Sequence, residues 1–361
     1  MVVYCEMATW AKTMKHLLDM TPGQLADWLV DQGHSKYRAG QIQEWLFQRG
    51  ATTFADMTNL PKELREKLAT TFSIMTSAVV AHDVSEDGSE KLLLQLTDRG
   101  QIECVLLRDD DIRRSICIST QVGCAMGCVF CASGLNGIDR NLTTGELVEQ
   151  MLLLQRLLPA GERLSHVIVM GVGEPLANLA HLLPALQRAS DTDGLNISAR
   201  RITISTVGIP TAMRQLTERD ARFQLAVSLH APTDELRNQL VPVNRGTGIA
   251  AIMHEADRYF DRSGRRLTFE YVLLAGINDS PLHAEQLASL LAGRTAMLNL
   301  IPYNSVDGLP YQTPSANSTN AFRDILVAHQ INVRLRRRKG DEINAACGQL
   351  RRRMGREQSE S

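Results

Sequence analysis

The chain has 361 residues, 44% of them hydrophobic and 22% charged, with Gly, Pro and Met at ordinary levels; this composition describes a globular protein with a large core and excludes disorder and collagen-like order. Thirty-nine basic residues against forty acidic ones leave a net charge of −1, which by itself points to neither a nucleic acid nor a membrane. No apolar run approaches the ~20 residues of a bilayer-spanning helix.

Glu6, Lys12 and Lys15 interrupt the first apolar stretch, which lacks a small-residue cleavage site, so no secretory signal is expected and the expected compartment is the cytoplasm. Residues 1–80 predict a small helical module. Leu25, Trp28 and Leu29, then Ile42, Trp45 and Leu46, recur at helical spacing, and Pro61-Lys62-Glu63-Leu64 reads as a further helix start. Residues 81–112 place the runs KLLLQL and IECVLL on either side of Thr97-Asp98-Arg99-Gly100, the pattern of a β-hairpin extension, and end in the acidic turn Asp109-Asp110-Asp111, which reads as a boundary.

From 113 to 340, short β-rich runs alternate with helix-length segments: SICIS, HVIVM, RITIST, FQLAVSL, LTFEYVLL and MLNLIPY. Six strands that read apolar on both faces predict an α/β fold, a helix-covered parallel sheet that is either doubly wound or a barrel. Chemistry is then expected just beyond the strand C-termini. SPLHAEQ and PSANSTNAF read as loops that open helices. Residues 341–361 form a loop and basic tail; from 331 to 361 nine Lys or Arg, among them Arg336 to Lys339 and Arg351 to Arg353, stand against four acidic residues. Such a run is either a solvated face or a phosphate-binding one.

Seven cysteines, at 5, 104, 117, 124, 128, 131 and 347, are odd in number and unevenly spaced, and they read as chemistry rather than as a disulfide scaffold. Cys124-Ala-Met-Gly-Cys128-Val-Phe-Cys131 follows directly on the first of the six strands. Three thiolates on a Gly-containing loop can wrap one soft metal centre. Closed zinc or electron-transfer sites take four protein ligands, whereas three on a four-iron, four-sulfur cube leave one iron open to substrate. A zinc site completed by a distant His and three core cysteines are the alternatives. The spacing, with the aromatic Phe130 before the last Cys, resembles the radical S-adenosylmethionine (SAM) superfamily. That resemblance implies a partial (β/α)6 barrel and a [4Fe-4S] cluster on Cys124, Cys128 and Cys131. It also implies SAM on the open iron and reductive cleavage of SAM to a 5′-deoxyadenosyl radical, chemistry that no side chain supplies.

Gly171-Val172-Gly173-Glu174-Pro175 follows HVIVM; its glycines permit close backbone approach, and Glu174 can accept from an ammonium group. Alone this is an ordinary β-to-α turn; beside the cysteines it resembles the superfamily's SAM-amine motif. Ser205 ends RITIS, Ser228, Leu229 and His230 end FQLAVSLH, and Asn304 follows LNLIPY. These groups are either helix caps or, with Gly173 and Glu174, a rim that binds the ribose and carboxylate of SAM.

Cys117 and Cys347 lie outside the triplet, and lone buried cysteines are ordinarily inert packing. CISTQVGCAMGCVFCASG, MGVGEPLAN, AVSLHAP, NLIPYN and KGDEINAACGQL together, however, resemble the RlmN-type RNA methyltransferases and their relative Cfr, over nearly all of residues 1–350. The resemblance implies that Cys347 is methylated by one SAM and that a second SAM yields the radical that removes hydrogen from this methyl group. The thiomethylene radical then adds to an adenine carbon, and Cys117 resolves the RNA tether, leaving a Cys117–Cys347 disulfide. The base that takes the ring proton corresponds to Glu103, a solvated strand glutamate being the alternative. Carbon 2 of adenine is electron-poor and does not attack a methyl cation equivalent, so radical addition meets a physical demand. Cys104 is expected to face the core, and Cys5 has no expected role.

The expected substrate is adenosine C2 in 23S rRNA and also in tRNA, with the helical module and basic tail binding phosphate and reading RNA shape. A flavodoxin-type electron donor, a monomeric state and no membrane partner complete the expectation. The alternatives are Cfr-like methylation at C8 and an iron–sulfur or zinc RNA-binding protein without turnover; Cys117 and Cys347, which binding alone does not need, argue against the last.

Overall fold

The computed structural model describes residues 14–109, 113–134, 137–306, 308–336 and 343. Strand β1 (Lys15–His16) leads into helices α1 (Pro22–Asp31), α2 (Tyr37–Phe47) and α3 (Lys62–Thr71), and β2 (Phe72–Ser73) returns to pair with β1 in parallel. Helix α1 begins at a capping box, Thr21 accepting from the Gln24 amide while the Gln24 side chain accepts from the Thr21 amide, with Pro22 at the first helical position. Leu25, Leu29, Ile42 and Leu46 are buried, as their spacing predicts.

Four strands follow, β3 (Ala78–Val84), β4 (Glu90–Gln95), β5 (Gln101–Asp109) and β6 (Arg113–Cys117), each antiparallel to the next. A two-stranded ribbon, β7 (Gln121–Gly123) with β8 (Ile138–Asn141), brackets the cysteine loop. Then come α4 (Thr144–Gln155), β9 (His166–Val169), α5 (Leu179–Ser190), β10 (Ile202–Thr206), α6 (Pro210–Glu218) and β11 (Gln224–Ser228). The series ends with α7 (Asp234–Leu240), α8 (Ile249–Ser263), β12 (Leu267–Leu273), α9 (Pro281–Leu291), β13 (Ala296–Pro302), α10 (Ala316–Ala328) and β14 (Val333–Leu335). Ser280 and Ser315 cap α9 and α10, so SPLHAEQ and PSANSTNAF do open helices.

One sheet of ten strands runs β14-β13-β12-β11-β10-β9-β6-β5-β4-β3, with every pair from β6 through β14 parallel. The parallel strands stand in strict chain order, with no reversal of the kind that marks a doubly wound sheet. The topology is therefore the partial barrel. The hairpin expected over 81–112 is β4–β5, and it continues through β6 into the same sheet. Strands β3 and β14 carry little sequence signal, because Val79, Val80 and Val84 are exposed and β14 has only three residues.

The strands are two-faced, where the sequence reads apolar on both sides. Leu92, Leu94, Cys104, Ile116, Val167, Ile204, Val227, Phe269 and Leu298 point into the helix-covered core. Their neighbours point to the concave face: register links Lys91 to Val105, Val105 to Cys117 and Cys117 to Ile168, and links Ser228 to Glu270 and Glu270 to Asn299. The concave face is thus polar, with Lys91, Glu103, Cys117, Ser205, Ser228 and Glu270 along it. Among the described residues no helix is long and apolar enough to cross a membrane.

The helical module is clamped to the barrel. Asp19 accepts from the Gly145 amide at the start of α4 (2.6 Å), and a Cβ on Gly145 would fall 2.4 Å from the His16 ring, so glycine alone permits this approach. Arg188 of α5 donates to Gln43 (2.7 Å) and lies over the Phe47 ring. Buried Glu149 of α4 accepts from the backbone and hydroxyl of both Thr76 and Ser77 at 2.6–3.0 Å, with His16 Nε2 at 3.5 Å. Four donors converge on one carboxylate, so Glu149→Ala strands them. We expect a loss of about 3 kcal/mol in the urea unfolding free energy, while a surface control such as Glu66→Ala stays within about 0.5 kcal/mol.

Candidate active site

The cysteine loop is shaped by its backbone. Gly127 adopts φ +66°, the Cys131 amide donates to the Cys128 carbonyl (3.1 Å), and the Cys124 amide donates to the Gly137 carbonyl (2.8 Å). Cys128 and Cys131 pack against an apolar patch that includes Phe130, Ala231, Leu240 and Val241. Burial pushes the Cys128 thiol far up, and Cys131 and Cys124 push it further, with Arg237 opposing. Burial likewise pushes Cys124 up to about 11, opposed by the Met126 amide and reinforced by Cys131 and Glu174. Among the described residues no three His, Cys, Asp or Glu side chains close around the point a single metal ion would occupy. Three thiols in mutual electrostatic reach against an apolar wall are a donor set for a soft, sulfur-rich group.

Beside this loop, the strand ends are pressed together. Gly173 has φ +105°, and a Cβ there would come within 2.6 Å of the Gln121 side chain, so no other residue fits. Glu174 is buried; its carboxylate accepts from the Leu176 (3.0 Å) and Val207 (2.9 Å) amides, and its own amide donates to Gln121 Oε1 (2.8 Å). Burial raises its pKa and the Val207, Thr206 and Leu176 donors oppose the rise. With three donors already on it, the carboxylate keeps one acceptor position for a further donor.

Ser205 and Ser228 face each other across β10 and β11 with their hydroxyls 3.3 Å apart. Leu229 is buried in the main core, so only its backbone borders the rim; its carbonyl accepts from Arg237 Nε (3.0 Å). His230 takes a left-handed φ of +59° and stacks edge-on to Phe130, with ring centroids 5.0 Å apart. Its Nδ1 accepts from the Val272 amide (3.1 Å). The Oδ1 of Asn304 is buried without a hydrogen-bond partner among the described residues, an acceptor suited to a ligand. None of Ser205, Ser228, His230 and Asn304 caps a helix, since α6, α7 and α10 start from Ile209, Thr233 and Ser315.

Glu103 lies on the concave face of β5 and is buried, not solvated. Its Oε1 is 3.1 Å from Lys91 Nζ, and its carbonyl accepts from Ser119 Oγ (2.6 Å). Cys117 stands one strand away on the same face; burial raises its thiol, the Met170 amide and Arg336 oppose that, and Glu103 adds to it. Cys104 points the other way, into the core, as expected. Cys347, Cys5, Arg337 to Lys339 and Arg351 to Arg353 lie outside the described residues.

Several residues at the site carry no sequence signal. Arg237 sits in DELRNQL, an ordinary helical run, yet is fully buried and donates to the carbonyls of Val207, Ser228 and Leu229. Asn278 donates to the carbonyls of His230 (2.9 Å) and Val272 (2.7 Å). Glu270 is buried on the concave face, one oxygen held by Asn299 and the other without a hydrogen-bond partner among the described residues. For Lys91 alone there is a trace, since it opens KLLLQL two residues before Leu93 on the same face.

Residues 118–287 match a family model described as the radical SAM superfamily, and residues 15–74 match one described as the ribosomal RNA large subunit methyltransferase N-terminal domain. The crystal structure of a radical SAM methyltransferase from Sphaerobacter thermophilus shares the fold, with a TM-score of 0.90 and 41% identity over 93% of this chain and 98% of that one. Fold and site together define a radical SAM enzyme. A protein of Rhodopirellula baltica is 60% identical over 94% of this chain and 91% of its own length, and one of Symbiobacterium thermophilum is 47% identical over 92% and 90%; both are described as probable dual-specificity RNA methyltransferase RlmN. The chain belongs to the RlmN family. Membership in the radical SAM superfamily implies a [4Fe-4S] cluster and SAM.

The environment of His230 carries a pH signature. Burial first, and Arg237 second, draw its pKa from 6.5 down to about 3. Between these values the unfolded chain binds a proton that the folded ring refuses, so stability falls as pH drops below about 6.5, by up to about 1.4 kcal/mol per pH unit. His230→Asn, which keeps an acceptor for the Val272 amide, is expected to flatten the slope of urea unfolding free energy between about pH 6.5 and 4.5.

Proposed function

We propose that this chain is a radical SAM RNA methyltransferase acting on C2 of an adenosine in 23S rRNA and in tRNA, through a methylated Cys347 and a covalent RNA adduct. The observation that carries the reading is the shared concave face: Glu103 and Cys117 stand on adjacent strands of one wall, beneath the rim that holds the cysteine loop. Cys124, Cys128 and Cys131 would hold the cluster, and Gly173, Glu174, Ser205, Ser228, the Leu229 backbone, His230 and Asn304 would bind SAM. When bound, these two groups supply the methyl group and the one-electron chemistry that side chains lack.

The chain's own residues do the rest. Glu103 receives the ring proton, and its burial excludes water as a competing proton acceptor. Cys117 is protonated at rest by its burial, while the Arg336 guanidinium favours the thiolate that attacks the tether. Residues 1–80 and the basic tail, with its flanking Arg336, bind RNA phosphate; residues 81–112 carry the base, residues 113–340 the barrel, and residues 341–361 the catalytic-cysteine loop. The protein acts as a cytoplasmic monomer with a flavodoxin-type electron donor.

Anaerobically reconstituted protein is expected to hold about four irons per chain. Ala at Cys124, Cys128 or Cys131 removes them, and stoichiometric zinc without iron would end the radical reading. The decisive experiment incubates the loaded enzyme with a 23S rRNA fragment and identifies the product by mass spectrometry. We expect 2-methyladenosine; 8-methyladenosine would establish the Cfr-type reaction instead. In the same assay Cys117→Ala accumulates the covalent RNA–protein adduct, whereas Cys347→Ala forms none. Identical behaviour of the two variants, with the cluster intact, would return both cysteines to structural roles.

A further inference from the structure

Lys91 and Glu270 on the concave face have no part in the reaction set out above, and of the two it is the Lys91 ammonium that meets a residue assigned to that reaction. Its strand position pairs with Val105, which pairs with Cys117, and the next concave-facing residue of β4, Leu93, pairs with Glu103. Lys91 and Glu103 are 1% and 7% exposed, with Nζ and Oε1 3.1 Å apart. A buried ion pair loses about as much in desolvation as it gains in attraction, so fold stability does not account for placing one here. The helix-facing residues of the same strands, Leu92, Leu94 and Cys104, show what this wall takes where only packing is required.

A carboxylate can take a proton from carbon only if it is charged beforehand, and burial by itself favours the neutral acid. A counter-charge at hydrogen-bond distance acts against that preference. Among the described residues Cys117, protonated by burial, faces Glu103 from the next strand, and Arg336, whose guanidinium acts on Cys117, reaches Met170 Sδ at 3.9 Å. Arg336 thus acts on the thiol, and Lys91 is a cation in direct contact with the carboxylate.

We infer that Lys91 is the positioning residue for the base: its ammonium, 3.1 Å from Oε1, is the counter-charge of the Glu103 carboxylate and fixes its direction toward the bound adenine. In the step it serves, the ring C–H bond breaks, an O–H bond forms on Glu103, and the C–H electron pair stays with the adduct. The inference rests on the reading of Glu103 as that base.

The test uses full-length, cluster-loaded protein and follows decay of the covalent RNA adduct on denaturing gels from pH 6 to 9, in wild type, Glu103→Gln, Lys91→Gln and Lys91→Arg. Lys91→Gln keeps a hydrogen-bond donor but loses the charge. Its adduct is expected to decay at least about tenfold more slowly at neutral pH, with the acidic limb of the rate profile moved to higher pH; Lys91→Arg restores the rate to within about threefold and the profile to its original place. Wild-type decay and an unmoved profile in Lys91→Gln, with Glu103→Gln stalled, would overturn the inference and leave Glu103 as the base. Wild-type decay in Glu103→Gln would overturn the reading of the base itself. Should Lys91→Gln fail to fold, the Arg variant still decides: an intact charge that leaves decay slowed tenfold with an unmoved profile contradicts the inference, and near-wild-type decay supports it.

Discussion

The rim of the barrel depends on a guanidinium withdrawn from water. At the C-terminal ends of β10 and β11 the chain leaves the sheet, and carbonyls that would pair with a neighbouring strand are left buried. Arg237 occupies that gap, donating to Val207, Ser228 and Leu229, and a further donor goes to Asn244, which in turn holds Asp234 and Asn238. Burial draws its pKa down to about 10 while Cys128 and Asp234 oppose the fall, so it stays charged at neutral pH. The same positive head that ties the strands thus favours a thiolate at Cys128. Fold and chemistry meet in one side chain.

Other buried polar side chains repeat this arrangement around the rim. Asn278 serves the carbonyls of His230 and Val272 and accepts from Leu274, and Asn178 serves those of Thr120 and Leu142. Gln121 and Glu174 join the end of β9 to the ribbon that brackets the cysteine loop. A network of this kind is rigid because each member, once unpaired, strands its partners. It holds the strand ends of the rim still.

What the sequence made legible follows from local pattern. Apolar β-rich runs marked six of the seven parallel strands, helical spacing marked α1 and α2, and the cysteine spacing marked the loop that the barrel presents at its rim. The choice between barrel and doubly wound sheet was not local, because it depends on strand order, which is set by crossovers longer than any motif. The polar concave face was hidden for a related reason: Glu270 in LTFEYVLL and Ser205 in RITIST look like isolated polar residues in apolar runs, and only the sheet register aligns them. Arg237 was illegible altogether, since an arginine at a helix turn is ordinarily solvated, and only the tertiary fold buries it. Lys91 and Glu103 fall between these cases, their shared face following from strand alternation and their contact from the pairing of β4 with β5.

The ten strands run from β14 to β3 without either edge pairing to the other among the described residues. A closed barrel would admit a substrate only end-on, so that a base in the middle of a polymer would have to enter and leave through the mouth with its polymer attached. An unclosed sheet has a lateral seam. A nucleotide in the middle of a long, folded RNA can then be swung in from the side and leave by the same opening without either end of the strand ever passing through the protein.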